Sequence, residues 1–245
     1  MSQPFEGTLS GDLRIPRSVV RRFPQYLLHV QWLCQRGIPW VSSNDIADAL
    51  GLTPSTVRQD LLHIDYSGVA KRGYSTTELE AALARALGAH REFRMVIVGA
   101  GHMGRALIQH DDISRQRFSI IAVFDRDRRI IGSAIGRLIV QPLDDLAQTV
   151  SSQKVEIGVI AVPPDSAQSV ADFLVIAGIK GLLNLAAVRL AVPARIPVVD
   201  ARIVTSLQVL AYEMKIRAWP SADVEIPPAP APAPNNPPQS PAGAL

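Results

Sequence analysis

The chain has 245 residues, 47% of them hydrophobic and 19% charged, with a formal net charge of +3 and one cysteine. This excludes a wholly disordered chain and an internal disulfide framework, and it leaves room for one large domain or two small ones. So modest a charge announces no nucleic-acid partner by itself, so any such claim rests on local clusters.

Residues 1–12 carry neither the basic nor the apolar region of a signal peptide and read as a flexible start. Residues 13–75 read as short helices with polar connections. Cys34, beside Trp32 and Leu33, reads as a small core residue in a reducing cytosol. Within 42–64, Ser43 or Asn44 can cap a first helix with Ile46, Ala47 and Leu50 inward, and Gly51 allows a tight turn. Thr53 then caps a second helix with Pro54 at its first position, where a missing N–H costs nothing. Val57, Leu61 and Ile64 face the core, which leaves Ser55, Thr56, Arg58, Gln59 and His63 toward solvent. Small hydroxyls, a guanidinium and an amide at a helix start suit reading of the major groove of double-stranded DNA. Arg14, Arg17, Arg21 and Arg22 precede this unit and could grip phosphate. Lys71-Arg72-Gly73-Tyr74 follows it as the basic turn of a wing. The plainer alternative is a helical packing module, with Arg58 paired to Asp60 or Asp65.

Residues 76–90 read as a linker helix. Ser75 with Glu78, or Thr77 with Glu80, can form a capping box; Leu79, Leu83 and Leu87 share a face, and Gly88 suits the stop. From Phe93 strand-like and helix-like stretches alternate, which predicts an α/β domain over 91–200 with a doubly wound parallel sheet. Strands are expected at 95–98, 119–124, 156–162, 181–185 and 197–199, and helices at 103–110, 143–151, 165–177 and 201–215.

The first of these strands runs into Gly99-Ala100-Gly101-His102-Met103-Gly104, a G-x-G-x-x-G between a strand and a helix. That is the context in which the motif binds a dinucleotide. Gly99 turns the chain, Gly101 lets the backbone approach a pyrophosphate, and Gly104 lets helix and strand pack closely. The helix start offers free N–H groups to the phosphates. Asp125 ends the next strand, 21 positions after Gly104. A carboxylate there accepts from an adenosine ribose and repels a 2′-phosphate, favouring NAD(H) over NADP(H). Arg126, Arg128 and Arg129 behind it weaken that preference or form a solvated basic loop. Val162-Pro163 and Asn184 end later strands, at the sheet edge where a nicotinamide belongs; the alternative for either is simple strand-terminating loop chemistry.

Ile203, Leu207, Leu210 and Met214 give 201–218 one apolar face with nothing left in the chain to cover it, which predicts a dimerisation helix. Residues 219–245 hold nine of the 19 prolines and no apolar stripe, and read as a disordered tail. The longest apolar runs, such as 157–164, are too short for a bilayer, so no membrane contact and a cytoplasmic location are expected. The five histidines show no metal-ligand spacing, and no catalytic acid–base or nucleophile set is apparent.

A helix-turn-helix unit followed by a Rossmann unit resembles the Rex family of redox-sensing transcriptional repressors, over roughly residues 15–215. The segments that carry the resemblance include Ile15-Pro16, Arg22, Val57-Arg58-Gln59-Asp60-Leu61, Lys71-Arg72-Gly73-Tyr74, the glycine motif with Phe124-Asp125, Ala167-Gln168 and Gly178-Ile179-Lys180-Gly181. Asn184, Val188-Arg189-Leu190 and Leu207-Gln208-Val209-Leu210-Ala211-Tyr212 complete them. The resemblance implies a winged helix-turn-helix domain, a Rossmann-type sheet, and a C-terminal helix swapped between subunits of a homodimer. It also implies a palindromic operator from which NADH releases the protein. It assigns redox coupling to Asp200 and to the position of His110, where the family often has tyrosine. Gln59 stands where lysine is usual, and Arg72-Gly73-Tyr74 shortens the family's wing.

Two other classes of function compete with an NAD(H)-responsive repressor. One is a nucleotide-binding regulator that acts through protein partners without DNA. The other is a small NAD-dependent dehydrogenase, against which the missing acid–base set and substrate domain count.

Overall fold

The computed structural model of the chain describes residues 15–88, 91–110, 113 and 117–216. The expected flexible start, Arg14, His90 and the proline-rich 219–245 lie outside the described residues.

The first part is helical. Helices α1 (Arg17–Val20), α2 (Phe23–Gln35), α3 (Ser43–Leu50), α4 (Pro54–Leu61) and α5 (Thr76–Ala86) enclose a core that includes Phe23, Tyr26, Ile46, Val57, Leu79 and Leu83. Strands β1 (Trp40–Val41) and β2 (Tyr74–Ser75) pair antiparallel, with Trp40 opposite Ser75. The turn from α3 to α4 follows from local chemistry. Ser42 and Asp45 form a reciprocal capping box, Gly51 closes α3 at φ +65, and the Thr53 hydroxyl accepts from the Thr56 N–H to start α4. A side chain with a Cβ would resist that left-handed angle. Ser42 takes the cap expected at Ser43 or Asn44. Ser75 caps α5. Cys34 lies partly buried against this core, and burial raises its thiol pKa, as suits a packing residue.

The second part begins at β3 (Phe93–Val98) and continues through α6 (His102–Ile108), β4 (Phe118–Asp125), β5 (Ala134–Ile135), β6 (Leu138–Pro142), α7 (Leu146–Ser152), β7 (Ile157–Ile160), α8 (Pro164–Ile176), β8 (Gly181–Asn184) and β9 (Val198–Asp200). The seven strands lie in the order β5-β6-β4-β3-β7-β8-β9. All neighbours are parallel except β5 and β6. The chain winds outward from β3 in both directions, so the topological switch lies between β3 and β7. Alternation along β3 feeds two cores. Val96 and Val98 join α7 and α8 on one face, while Met95 and Ile97 join Leu107 and Ile108 of α6 on the other. On that second face a groove of about 530 Å³ runs over Met95, Ile157, Val159, Leu183 and Val199.

The five strands expected in this half are present with shifted ends. The β5–β6 hairpin at 134–142 was not expected; its two-residue strand is too short to show a period, and Gly136-Arg137 supplies the turn.

The chain divides after Ala201. Beyond it, α9 (Ile203–Ile216) carries the expected apolar face, and it also exposes Val204, Val209, Tyr212 and Ile216, with none of its residues buried.

Candidate nucleotide and nucleic-acid sites

A cleft of about 220 Å³ opens at the switch point, beyond the ends of β3, β4 and β7. Gly99, Gly101, Asp125, Val162 and Pro163 line it, as expected, with Arg126, Leu143, Ala161, Ser166 and Ser169. Gly99 is at φ +107, and a Cβ there would overlap the Ala161 carbonyl. A Cβ on Gly104 would overlap the Gly99 carbonyl, so α6 could not sit this close to the loop. A Cβ on Gly101, by contrast, would meet nothing within 4 Å and would project into open space. Two glycines are therefore required by the protein's own backbone. The third leaves space for something else, as the loop of a pyrophosphate site does.

Asp125 is built into this loop. Its Oδ2 accepts from the Ala100 N–H at 2.7 Å and its Oδ1 from the Asp127 N–H at 2.9 Å. Each carboxylate oxygen has a second lone pair, so both remain able to accept from a ribose hydroxyl.

At the edge of the sheet, Asn184 is fully buried. Its amide donates to the Val188 carbonyl at 2.8 Å and to Asp200 Oδ1 at 2.7 Å, and its Oδ1 accepts from the Ala186 N–H. It organises the turn after β8 and holds the exposed Asp200 at the end of β9. Its side chain makes these internal bonds, which match the strand-ending role that the sequence left open beside a ligand contact. His110 is exposed just beyond α6.

The helical half presents a second, cationic face. A shallow cleft of about 390 Å³ is lined by Ser42, Ser43, Arg58, Lys71, Arg72 and Tyr74, among others. Arg58 donates to the Ser43 hydroxyl at 3.0 Å, neither to Asp60 nor to Asp65. The wing is a tight turn in which the Val69 and Gly73 N–H and carbonyl groups pair reciprocally. It carries Lys71 and Arg72, both exposed, and the Arg72 guanidinium lies 3.9 Å from the centre of the Trp40 ring.

Three similarities to known proteins bear on these sites. Residues 14–61 match a family model described as the N-terminus of putative DNA-binding proteins, and residues 90–188 match the CoA binding domain. The chain is 37% identical to the redox-sensing transcriptional repressor Rex of Thermosipho africanus, over 83% of this chain and 98% of that protein. It is 38% identical to Rex of Carboxydothermus hydrogenoformans, over 82% and 97%, and 34% identical to Rex of Streptomyces griseus, over 86% and 83%. The chain belongs to the Rex family of redox-sensing transcriptional repressors. Among solved structures it resembles RSP, described as a Rex-family repressor, at 28% identity and a TM-score of 0.77, over 84% of this chain and 96% of that one. RSP has also been crystallised with β-NADH and with β-NAD+ and operator DNA, and those structures match with TM-scores of 0.77 and 0.78. Rex relatives are named as repressors, and the dehydrogenase reading is set aside on that ground.

Within this Rex-family chain the expected site residues divide. Ala100 and Gly104 are buried beneath the cleft, while His102 and Met103 are exposed on α6 outside its lining. Ser55 and Gln59 are exposed on α4, and the Thr56 hydroxyl is bonded to Thr53.

Arg22 is a correction. Its Nε and Nη2 donate to Asp60 at 2.6 and 2.7 Å, and the Tyr26 hydroxyl donates to the same carboxylate at 2.6 Å. Asp60 is only 3% exposed. Burial alone would raise its pKa, but the bonds from Arg22 and Tyr26 outweigh it and hold the carboxyl below the usual range. Arg22 therefore anchors α4 to α2 from inside instead of standing free for phosphate. Tyr74 lines the cationic cleft from the foot of the wing, where it is half-buried and packed against Tyr66, and burial raises its hydroxyl pKa.

Ser166 and Ser169 of the cleft escaped sequence reasoning, although they follow Val162-Pro163 by about one and two helical turns. Among the described residues no group of three His, Cys, Asp or Glu is placed to hold a metal, and no helix is long and apolar enough to cross a membrane.

Proposed function

We propose that this chain is a DNA-binding repressor that binds NAD(H) in the switch-point cleft and leaves its operator when NADH replaces NAD+. The observation that carries the cofactor is the glycine loop. Its one unconstrained glycine, Gly101, faces open space beside Asp125. Gly99, Ala100, Gly101, His102, Met103 and Gly104 would hold the pyrophosphate through the loop and the start of α6. Asp125 would accept from the adenosine ribose, and Val162 and Pro163 would border the nicotinamide, which supplies the two redox states. That NADH and NAD+ with operator DNA were each crystallised with RSP supports this reading.

Asp200 is proposed as the group that tells those states apart. Asn184 presents its carboxylate at the strand ends, where a cationic ring is favoured over a neutral one. His110 is its proposed partner when no cation is present. Only a contact that differs between the two ligands can shift the protein between DNA-competent and DNA-incompetent forms.

The DNA face is assigned to Ser55, Thr56, Arg58 and Gln59 of α4 with Lys71 and Arg72 of the wing. A palindromic operator needs two recognition helices about 34 Å apart. The homodimer that would provide them is supported by two apolar surfaces left for a second copy, the groove over β7 and β8 and the exposed helix α9, which is proposed to swap between subunits. The cytoplasm is the proposed compartment, since an operator-binding protein works where the DNA is.

The test is operator affinity across NADH/NAD+ ratios. Affinity should fall as NADH rises; equal binding at every ratio would defeat the redox reading. Operator binding that is absent at every ratio, with both nucleotides still bound, would favour a regulator acting through protein partners.

A further inference from the structure

The switch-point cleft has a direction. In the sheet, β3 lies next to β4 and β4 next to β6. The lining follows that order, from Gly99 and Gly101 after β3, through Asp125 at the end of β4, to Leu143 just after β6. A pyrophosphate on the loop and a ribose on Asp125 therefore leave the base for the side of β6. Val162 and Pro163, assigned to the nicotinamide, follow β7, which lies on the other side of β3. At about 220 Å³ the cleft falls short of the roughly 300–1,000 Å³ usual for a whole small ligand, so it suits one part of a dinucleotide.

Helix α8 lines that end with Ser166, Ser169 and Val170. Val170 is buried and Leu143 half-buried, so a base there would meet apolar surface. Ser169 is exposed, and its hydroxyl donates to the Ser166 carbonyl at 2.9 Å, three residues back along the helix. A hydroxyl has one proton and two acceptor lone pairs. With its proton committed to the helix, Ser169 Oγ offers the cleft an acceptor only. Among purines, adenine carries an amino donor at C6, whereas hypoxanthine and guanine carry a carbonyl there. The amino group complements such an acceptor; the carbonyl sets oxygen against oxygen.

We infer that Ser169 is the residue that selects adenine at the base end of this cleft, by accepting from its 6-amino group. This rests on the reading of Asp125 as the ribose acceptor, which sets the direction of the nucleotide, and adds the base to it. The glycine loop and Asp125 bear on phosphates and ribose, which every purine dinucleotide shares. Leu143 and Val170 offer apolar contact to any purine. The Ser166 hydroxyl makes no such bond among the described residues and can turn to donate or accept, so it does not tell purines apart.

The experiment is calorimetric titration of the full chain with NADH and with reduced nicotinamide hypoxanthine dinucleotide, which differs from it only in the base. The native protein, Ser169→Ala, Ser169→Thr and Asp125→Asn are compared. The native protein should bind NADH more tightly by about three- to tenfold, the worth of one hydrogen bond. Ser169→Ala should bring the two affinities together, mainly by weakening NADH, and Ser169→Thr, which keeps the hydroxyl, should keep the preference. Equal affinities in the native protein overturn the proposal. So does a native preference for hypoxanthine, since a donor such as Arg126 would then face the base. A full preference retained in Ser169→Ala overturns it too. Asp125→Asn reads the ribose assignment separately and should weaken both dinucleotides alike. If it weakens neither, that assignment fails, while the Ser169 variants still decide the base. A native protein that binds neither dinucleotide overturns both.

Discussion

The nucleotide cleft and the DNA face are built by opposite rules. In the cleft, residue identity is dictated by the protein's own backbone. A Cβ on Gly99 or Gly104 would collide with a carbonyl oxygen, and Asp125 is tied into the loop by two backbone N–H groups. On the face proposed for DNA, Arg58 and Arg72 are exposed, and each is held by one soft contact, Arg58 by the Ser43 hydroxyl and Arg72 by the Trp40 ring. The backbone tolerates little change at the first site and much at the second. The exception lies beneath the DNA face, where Asp60 is as constrained as any residue of the cleft.

The largest effect should come from Gly104→Ala. The added methyl must push α6 off the loop; overpacking costs about 1–3 kcal/mol, and a clash with a backbone carbonyl belongs at the upper end of that range. Nucleotide titration should show binding lost, while operator binding persists and no longer responds to NADH. If both activities fall together, the two regions are not separable as described.

Asp60→Ala should come next and act in the other direction. Breaking a buried pair costs about 3–5 kcal/mol, and a value near about 2–3 is expected here because the partly exposed Arg22 can rehydrate. Chemical denaturation should show the helical half destabilised and operator binding weakened, with nucleotide affinity spared. The same pair carries a pH dependence. The Asp60 carboxyl is lowered in the fold, so the unfolded chain binds the proton more readily. Its stabilisation is present above the ordinary aspartate value of about 4 and is lost as pH falls below it. Thermal unfolding across that range should be flatter for Asp60→Asn than for the native chain.

Arg58→Ala should cost about 1–3 kcal/mol of discrimination between operator and random DNA, as for loss of one good base contact. Ser43→Ala should cost less in the same assay, since the arginine stays but loses its orientation. Equal loss on both DNAs would make Arg58 a phosphate contact. The smallest effect is expected of Arg72→Ala, which should weaken all sequences alike and reduce the salt slope by about one unit. A change in sequence preference at this position would give the wing a reading role.

Whatever depends on local chemistry could be read from the residues alone. Caps, the turn at Gly51, the glycine loop and the strand that delivers Asp125 all depend on residues within a few positions of one another, so spacing alone predicts them. Partners that come from afar are fixed by packing and leave no local signal. Arg22 and Asp60 are 38 positions apart, and no local rule says that a cation among four arginines turns inward to a carboxylate in the recognition helix. Asn184 looked like a ligand contact because it ends a strand, yet β9 lies beside it in the sheet and places Asp200 within reach of its amide. Arg129 looked like its two neighbours until Asp127 was seen to hold it. In each case the side chain's role was set by which unsatisfied polar group the fold brought near, and that is settled when distant segments pack.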